Sequence, residues 1–179
     1  RNANPPKYLK GYMFPIMGKL TSWQKNTKPV DGMMIVPLLK KFGTAMANTM
    51  SMPNGDSPVK NWSGSVKDFP FRKYRKLNPD RINARETRKY RCSSCVVGCG
   101  GIVDIKDVRD GRYTHSHKPE YETSASFGCS LLINDLDAIF YINEMLNRAG
   151  MDTISAGATA GFAIECFENG LLTEKETGG

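Results

Sequence analysis

Three cysteines near the middle of the chain, Cys92-Ser-Ser-Cys95-Val-Val-Gly-Cys99-Gly-Gly, constrain the fold more than any other segment. Their C-x2-C-x3-C spacing puts three thiols within eight residues, wrapped in small residues and glycines. A loop of that kind can converge its sulfurs on one metal centre, and a packed core has no use for it. The spacing occurs inside the longer cysteine runs that hold [4Fe–4S] clusters. It reverses the C-x3-C-x2-C order of radical-SAM enzymes, which argues against that chemistry. Zinc is an alternative, needing four ligands, usually from paired C-x2-C units or one such unit with two histidines. Only Cys92 and Cys95 have that spacing, although His115 and His117 lie near enough in sequence to contribute. Placed on a strand, these histidines are expected on opposite faces, which makes joint ligation awkward. Structural cysteines are the third reading, and spacing alone leaves all three open.

The five cysteines form an odd set in a chain with no export signal, which argues against a disulfide framework. Cys129 and Cys166 stand alone, each expected as a small buried hydrophobe. No apolar run approaches the roughly 20 residues of a membrane span, so a cytoplasmic protein is expected. The 179 residues suffice for one core or two small ones. A chain opening on Arg1 and closing on Gly178-Gly179 is expected to be a piece of a longer protein. The net charge of +7 would suit an acidic partner or nucleic acid. The basic residues concentrate between Arg72 and Arg91, however, and read as a solvated helix face, so no nucleic-acid role is expected.

Residues 1–32 are rich in proline and glycine and read as loop. Met33–Phe42 suits a helix that Pro37 must kink or restart. Residues 51–71 read as loop again, with Trp62 as anchor. Asn78-Pro79 is a helix start, and the helix is expected to run to about Tyr90. Gly101–Lys106 and Tyr113–Lys118 predict a two-stranded hairpin around Asp110-Gly111, which needs something to pack on. Two helices come next. One is capped by Asn134 or Asp135, buries Leu136, Ile139, Phe140, Asn143 and Leu146, and stops at Gly150. The other is capped by Asp152 and carries small residues that permit close backbone approach. Thr173–Glu176 reads as a capping box. The fold class is mainly α with a small β hairpin.

Glu122, in Pro119-Glu-Tyr-Glu122-Thr, has the position of an ordinary helix-start acid. The turn Asn147-Arg-Ala-Gly150-Met151-Asp152 ends one helix and caps the next, and its N–H groups could meet an anion or the polar edge of a heterocycle.

Taken in order, Gly55–Trp62, the thiol loop, Pro119–Thr123, Asn134-Asp-Leu, Asn147–Ser155 and Gly170–Thr173 resemble the aldehyde:ferredoxin oxidoreductases, the tungsten-pterin enzymes of anaerobes. The resemblance is firm over 43–179 and weak over 1–42. It implies that 1–179 is part of one helical middle domain, with a β-rich pterin domain before it and a C-terminal domain after it. It implies that Cys92, Cys95 and Cys99 hold a [4Fe–4S] cluster whose fourth ligand lies outside this chain. Asn147, Gly150, Met151 and Asp152 would contact a tungsten (or molybdenum) bis-pterin, with Asn147 and Met151 standing where the family usually has Asp and Leu. Glu122, with Tyr121 beside it, would be the acid near the metal, relaying the proton released on oxidation. Cys129 is implied as a tungsten ligand by relatives that reduce aromatic acyl-thioesters. The expected activity is oxidation of an aldehyde to a carboxylic acid, with ferredoxin as acceptor. A class II benzoyl-CoA reductase-like activity is the second reading, and an electron-transfer or zinc-binding module the third. The expected partners are ferredoxin or another redox protein, a small aldehyde, the parent's remaining domains, and a second copy or larger complex. The piece alone is expected to be inactive.

Overall fold

The computed structural model describes residues 35–178 apart from 94 and 96. The loop expected over 1–32 lies outside these residues. Helix α1 (Ile35–Phe42) carries Pro37 in its first turn, where a missing N–H costs nothing and no kink is needed. A 3₁₀ segment (Gly43–Thr49) and a short helix α2 (Ser51–Asn54) come after it. A long loop leads to α3 (Phe71–Tyr74), a 3₁₀ turn and α4 (Pro79–Asn83). Trp62 does not anchor that loop: it is 71% exposed, whereas Phe69 is fully buried beside Met52, Val59 and Tyr74. Lys60, Asn61 and Trp62 all adopt left-handed backbone, with φ of 50°, 49° and 69°. Such conformations are unfavourable for residues with a Cβ and persist only when the surroundings impose them. Here Lys60 and Asn61 donate their N–H groups to the carbonyls of Cys129 (3.2 Å) and Ser130 (3.1 Å).

Asn78 caps α4 as expected, its side chain accepting from the Arg81 N–H at 2.8 Å. The helix does not run to Tyr90. It ends at Asn83, and Glu86–Tyr90 is strand β1, so the basic residues of 72–91 share no single helix face. The reason lies across the ladder, where β1 pairs with β2 (Gly100–Asp104) in antiparallel register. A side chain on Gly100 would sit 2.5 Å from the Tyr90 ring, and one on Gly101 2.5 Å from Glu86 Oε2. The two bare glycines thus seat the β1 side chains against β2, a close approach no other residue type allows. β3 (His115–His117) pairs with β2, confirming the expected hairpin but completing a sheet of three strands rather than two, in order β1-β2-β3. His115 and His117 are exposed and Ser116 is buried between them, so the histidines share one face. The opposite-face expectation was wrong, because residues two apart on a strand point the same way.

Helix α5 (Tyr121–Thr123) widens into a π-helical stretch, Ser124–Cys129. Helix α6 (Leu136–Ala149) is capped by Asp135, stopped by left-handed Gly150, and buries Ile139, Phe140, Asn143 and Leu146. It lies between two hydrophobic clusters. Ile139 and Leu146 join the one built on Met52, Phe69 and Phe127, and Phe140 joins the one built on Ile82, Val103 and Ile105. Asn143 ties α6 to β3, its Nδ2 donating to Ser116 Oγ at 3.1 Å and to the His117 carbonyl at 2.8 Å. This is the surface on which the sheet packs. Helix α7 (Thr153–Glu168) buries Gly157 and Gly161, while Ile154, Phe162, Ile164 and Phe167 are exposed. A Cβ on Gly157 would lie 2.5 Å from the Ser126 side chain, so α7 meets the π-helical stretch backbone to backbone. The capping box opens α8 (Glu174–Thr177). No helix among the described residues is long and apolar enough to cross a membrane.

Candidate active site

The three cysteines occupy the β1–β2 connection, so the thiol loop is a hairpin loop on the sheet rather than the continuation of a helix. None of the chain's cysteines is in a disulfide; Cys92 is exposed, and Cys95 and Cys99 are half-buried. The Cys95 N–H donates to the Cys92 carbonyl at 3.1 Å, bending the loop on itself. Burial pushes the Cys99 thiol above its ordinary pKa, and the Glu120 carboxylate adds to the effect. Tyr90 is raised by the same two causes in the same order. Both shifts favour the protonated form, and a metal binding Cys99 would have to displace the proton from its sulfur. Among the described residues, no three His, Cys, Asp or Glu side chains converge as ligands of one ion. Three thiols in one bent loop still suit a cubane, whose iron corners each take a single cysteine.

A cleft of about 320 Å³ adjoins this loop, lined by Glu122, Asn147, Met151 and Asp152 together with Tyr90 and Lys118. Residues 25 or more positions apart in sequence meet here because of two contacts. Thr123 Oγ1 lies 2.9 Å from Thr153 Oγ1, locking α5 to the start of α7. The Asn143 contacts hold β3, and with it the Lys118–Pro119–Glu120 bend, against α6. Glu122 is exposed toward the cleft, in the first turn of α5. Tyr121 turns the other way, its hydroxyl 3.2 Å from Ser57 Oγ.

The Asn147–Asp152 turn spends more of its backbone internally than its sequence suggests. The Gly150 N–H bonds the Asn147 carbonyl at 3.2 Å and the Met151 N–H bonds that of Leu146 at 3.0 Å. The Asp152 carboxylate accepts from the Ser155 N–H at 2.7 Å, and the Ser155 hydroxyl first and this N–H second hold it below the usual carboxylate range. From this turn and the start of α7, Asn147, Met151, Asp152, Thr153 and Ile154 line the cleft. That edge mixes amide, carboxylate, hydroxyl and apolar surface, and can meet a polar heterocycle.

Cys129 lies elsewhere. It is 5% exposed within the cluster of Met52, Phe69 and Phe127, and burial pushes its thiol up to about 11. Asn48, Tyr74, Tyr121 and Ser124 surround a small void beside it, apart from the cleft. A more voluminous groove, about 700 Å³, runs past Arg85 and Asp137, but these two charges pair with each other at 3.0 Å.

Sequence reasoning missed Lys118 and Glu120. Lys118 is buried, its Nζ 2.8 Å from Glu86 Oε2, and burial lowers its pKa despite that partner. Glu120 Oε2 accepts from both the N–H and the hydroxyl of Thr44. Both partners are far away in sequence, so no local spacing signals them.

The family model described as aldehyde ferredoxin oxidoreductase, domains 2 and 3, matches residues 20–179. A tungsten-containing aldehyde ferredoxin oxidoreductase of Pyrococcus furiosus is 34% identical over 140 residues, 78% of this chain and 22% of that protein. The protein of the same name from Thermococcus kodakarensis is 32% identical over 143 residues, again 78% and 22%. An aliphatic sulfonate oxidoreductase, WOR-like subunit, from Pyrococcus furiosus is 27% identical over 143 residues, with the same shares. The chain thus spans about a fifth of the length of these relatives. The family model covers most of the chain, and the chain belongs to the aldehyde ferredoxin oxidoreductase family.

Proposed function

We propose that this chain is the middle, cluster-bearing part of a tungsten-pterin enzyme that oxidises an aldehyde to a carboxylic acid and passes the electrons to ferredoxin or a similar redox protein. The observation that carries the reading is the cleft in which Glu122 and the Asn147–Asp152 turn meet beside Tyr90, two residues before Cys92. Cys92, Cys95 and Cys99 would supply three thiolates to a [4Fe–4S] cluster, the fourth coming from beyond this chain. Asn147, Met151 and Asp152 would hold one edge of the pterin, with Gly150 setting the turn that presents them. When bound, the metal–pterin group supplies the two-electron chemistry, as cofactors do. The chain's own task is to place a base: Glu122 takes the proton released as the aldehyde carbon is oxidised. Tyr121 keeps α5 in place through Ser57.

Glu122→Gln in the parent enzyme is expected to keep iron and tungsten and lose most turnover. An unimpaired kcat with full metal content would remove Glu122 from the mechanism. Cys129 as a tungsten ligand is tested by metal-edge absorption of Cys129→Ser, where an unchanged sulfur count excludes it; its place in the core favours packing. The names of the relatives favour aldehyde oxidation over aromatic-ring reduction. A plain electron carrier or zinc module needs no cleft of this kind, and iron and sulfide analysis with an EPR spectrum separates these readings. We place the remaining pterin contacts and the fourth cysteine in flanking domains of a cytoplasmic parent.

A further inference from the structure

We propose that Glu120 sets the reduction potential of the cluster on the Cys92–Cys99 loop, acting as a fixed negative charge beside it. The inference rests on the reading that this loop holds a [4Fe–4S] cluster. Its geometry centres on Gly43, whose φ of +68° is left-handed. A Cβ there would lie 3.3 Å from the Cys99 carbonyl oxygen, 3.4 Å from Lys118 Cε and 3.6 Å from Glu120 Oε2. The last residue of the thiol loop and the Glu120 carboxylate therefore flank one small space. The carboxylate is held rather than free to swing. Thr44 donates its N–H to Oε2 at 3.3 Å, and its hydroxyl donates to the same oxygen. Thr44 Oγ1 in turn accepts from the Tyr121 N–H at 2.8 Å, which fixes the clamp to α5.

The neighbouring cation, Lys118, is paired with another carboxylate and is unchanged when Glu120 is neutralised, so removing the Glu120 charge still alters the local field. Lys118 Nζ is engaged by Glu86 at 2.8 Å, with its side chain 1% exposed. Among the described residues, Glu120 has no ion-pair partner of its own. Reduction of a cluster adds one electron and no compensating cation. A fixed carboxylate in a partly buried setting raises the energy of that reduced state, because Coulomb interactions strengthen as the local dielectric falls. Cluster potentials respond to nearby charge and solvent access in this way. Were a cluster bound, Glu120 would act only on the energy of its reduced state, with no bond made or broken at the loop. Glu120 thus acts as a positioning charge that keeps the cluster a strong reductant.

The test is an EPR-monitored redox titration of the cluster in the anaerobically purified parent enzyme, comparing wild type, Glu120→Gln and Thr44→Val, with iron and sulfide measured in each. The expected result is full iron in all three, a midpoint shifted positive in Glu120→Gln, and a smaller positive shift in Thr44→Val, where the charge is kept but loosened. A Glu120→Gln midpoint equal to wild type, with iron retained, overturns the proposal. Should Glu120→Gln lose its iron, Thr44→Val decides by the same criterion. Loss of iron from both variants also overturns it, since the pair would then be a clamp on the loop rather than a tuning charge. A wild-type parent without iron is a different failure, and sinks the cofactor reading instead.

Discussion

Asn143 commits one buried amide group to two acceptors on β3, and with it the wall of the cleft. Asn143→Leu would fill similar space but leave the Ser116 hydroxyl and the His117 carbonyl unpaired inside the protein. A cost of about 1–3 kcal/mol is expected, seen as a lower Tm in thermal unfolding of the parent; an unchanged Tm would show that β3 is held otherwise. Asn143 was readable from the sequence as a member of the buried helix face, but its partners were not. Cys129 behaves in the opposite manner, as a polar-capable group made inert. With its pKa pushed to about 11 by burial, almost none of it is thiolate at neutral pH, and alkylating reagents should spare it until the protein unfolds. Peptide mass spectrometry after iodoacetamide treatment checks this. The folded state also holds the Cys129 proton more tightly than the unfolded chain does. This group's contribution to stability is therefore intact below about pH 9 and is lost as pH climbs toward 11.

Among the elements, α6 and α7 were legible because their ends are written in local chemistry: Asp135 and Gly150 for one, Asp152 for the other. The close approach suggested by the small residues of α7 is also present, at Gly157 and Gly161. Gly157→Val would force its side chain into Ser126 and prise α7 from the π-helical stretch. Overpacking of this kind costs about 1–3 kcal/mol, and the Thr123–Thr153 contact that closes the cleft should loosen with it. Chemical denaturation and substrate KM of the variant measure the two effects separately. β1 was illegible because its signal is not in β1. Glu86-Thr-Arg-Lys-Tyr90 is polar and comes after a sound helix start, and the bare glycines that accept its side chains lie beyond the thiol loop. Phe69 displaced Trp62 as the loop anchor for a related reason. The left-handed turn at 60–62 aims the larger aromatic outward, and aromatic size alone could not show that.

For the whole molecule, the order of motifs along the chain pointed to the family better than any single motif did. The cleft brings Tyr90 at the end of β1 together with the segment before α5 and the α6–α7 turn; the last two were flagged in sequence, whereas β1 was not, and Lys118 and Glu120 became visible only once distant partners were in place. The Thr44–Glu120 contact spans 76 positions and the Glu86–Lys118 contact 32, so neither leaves a local pattern. At this scale the cofactor reading has a direct check. Cys95→Ser in the parent should lower iron and acid-labile sulfide per chain, whereas Cys166→Ser should leave both unchanged. Equal iron in the two variants would detach the thiol hairpin from cluster binding.

The wide winding of Ser124–Cys129 has a consequence of its own. An ordinary helix advances about 100° per residue, so a stretch wound more loosely resets the angular phase between the chain before it and the chain after it. Removing one residue there, Ser126 for example, would restore regular winding and rotate the downstream chain relative to Glu122. Leucines 131 and 132 would then leave their packing places, and the acid would lose its alignment with the turn at Asn147 without any change to either residue. The loosened coil is a phase shifter, and the cleft exists at the angle it sets.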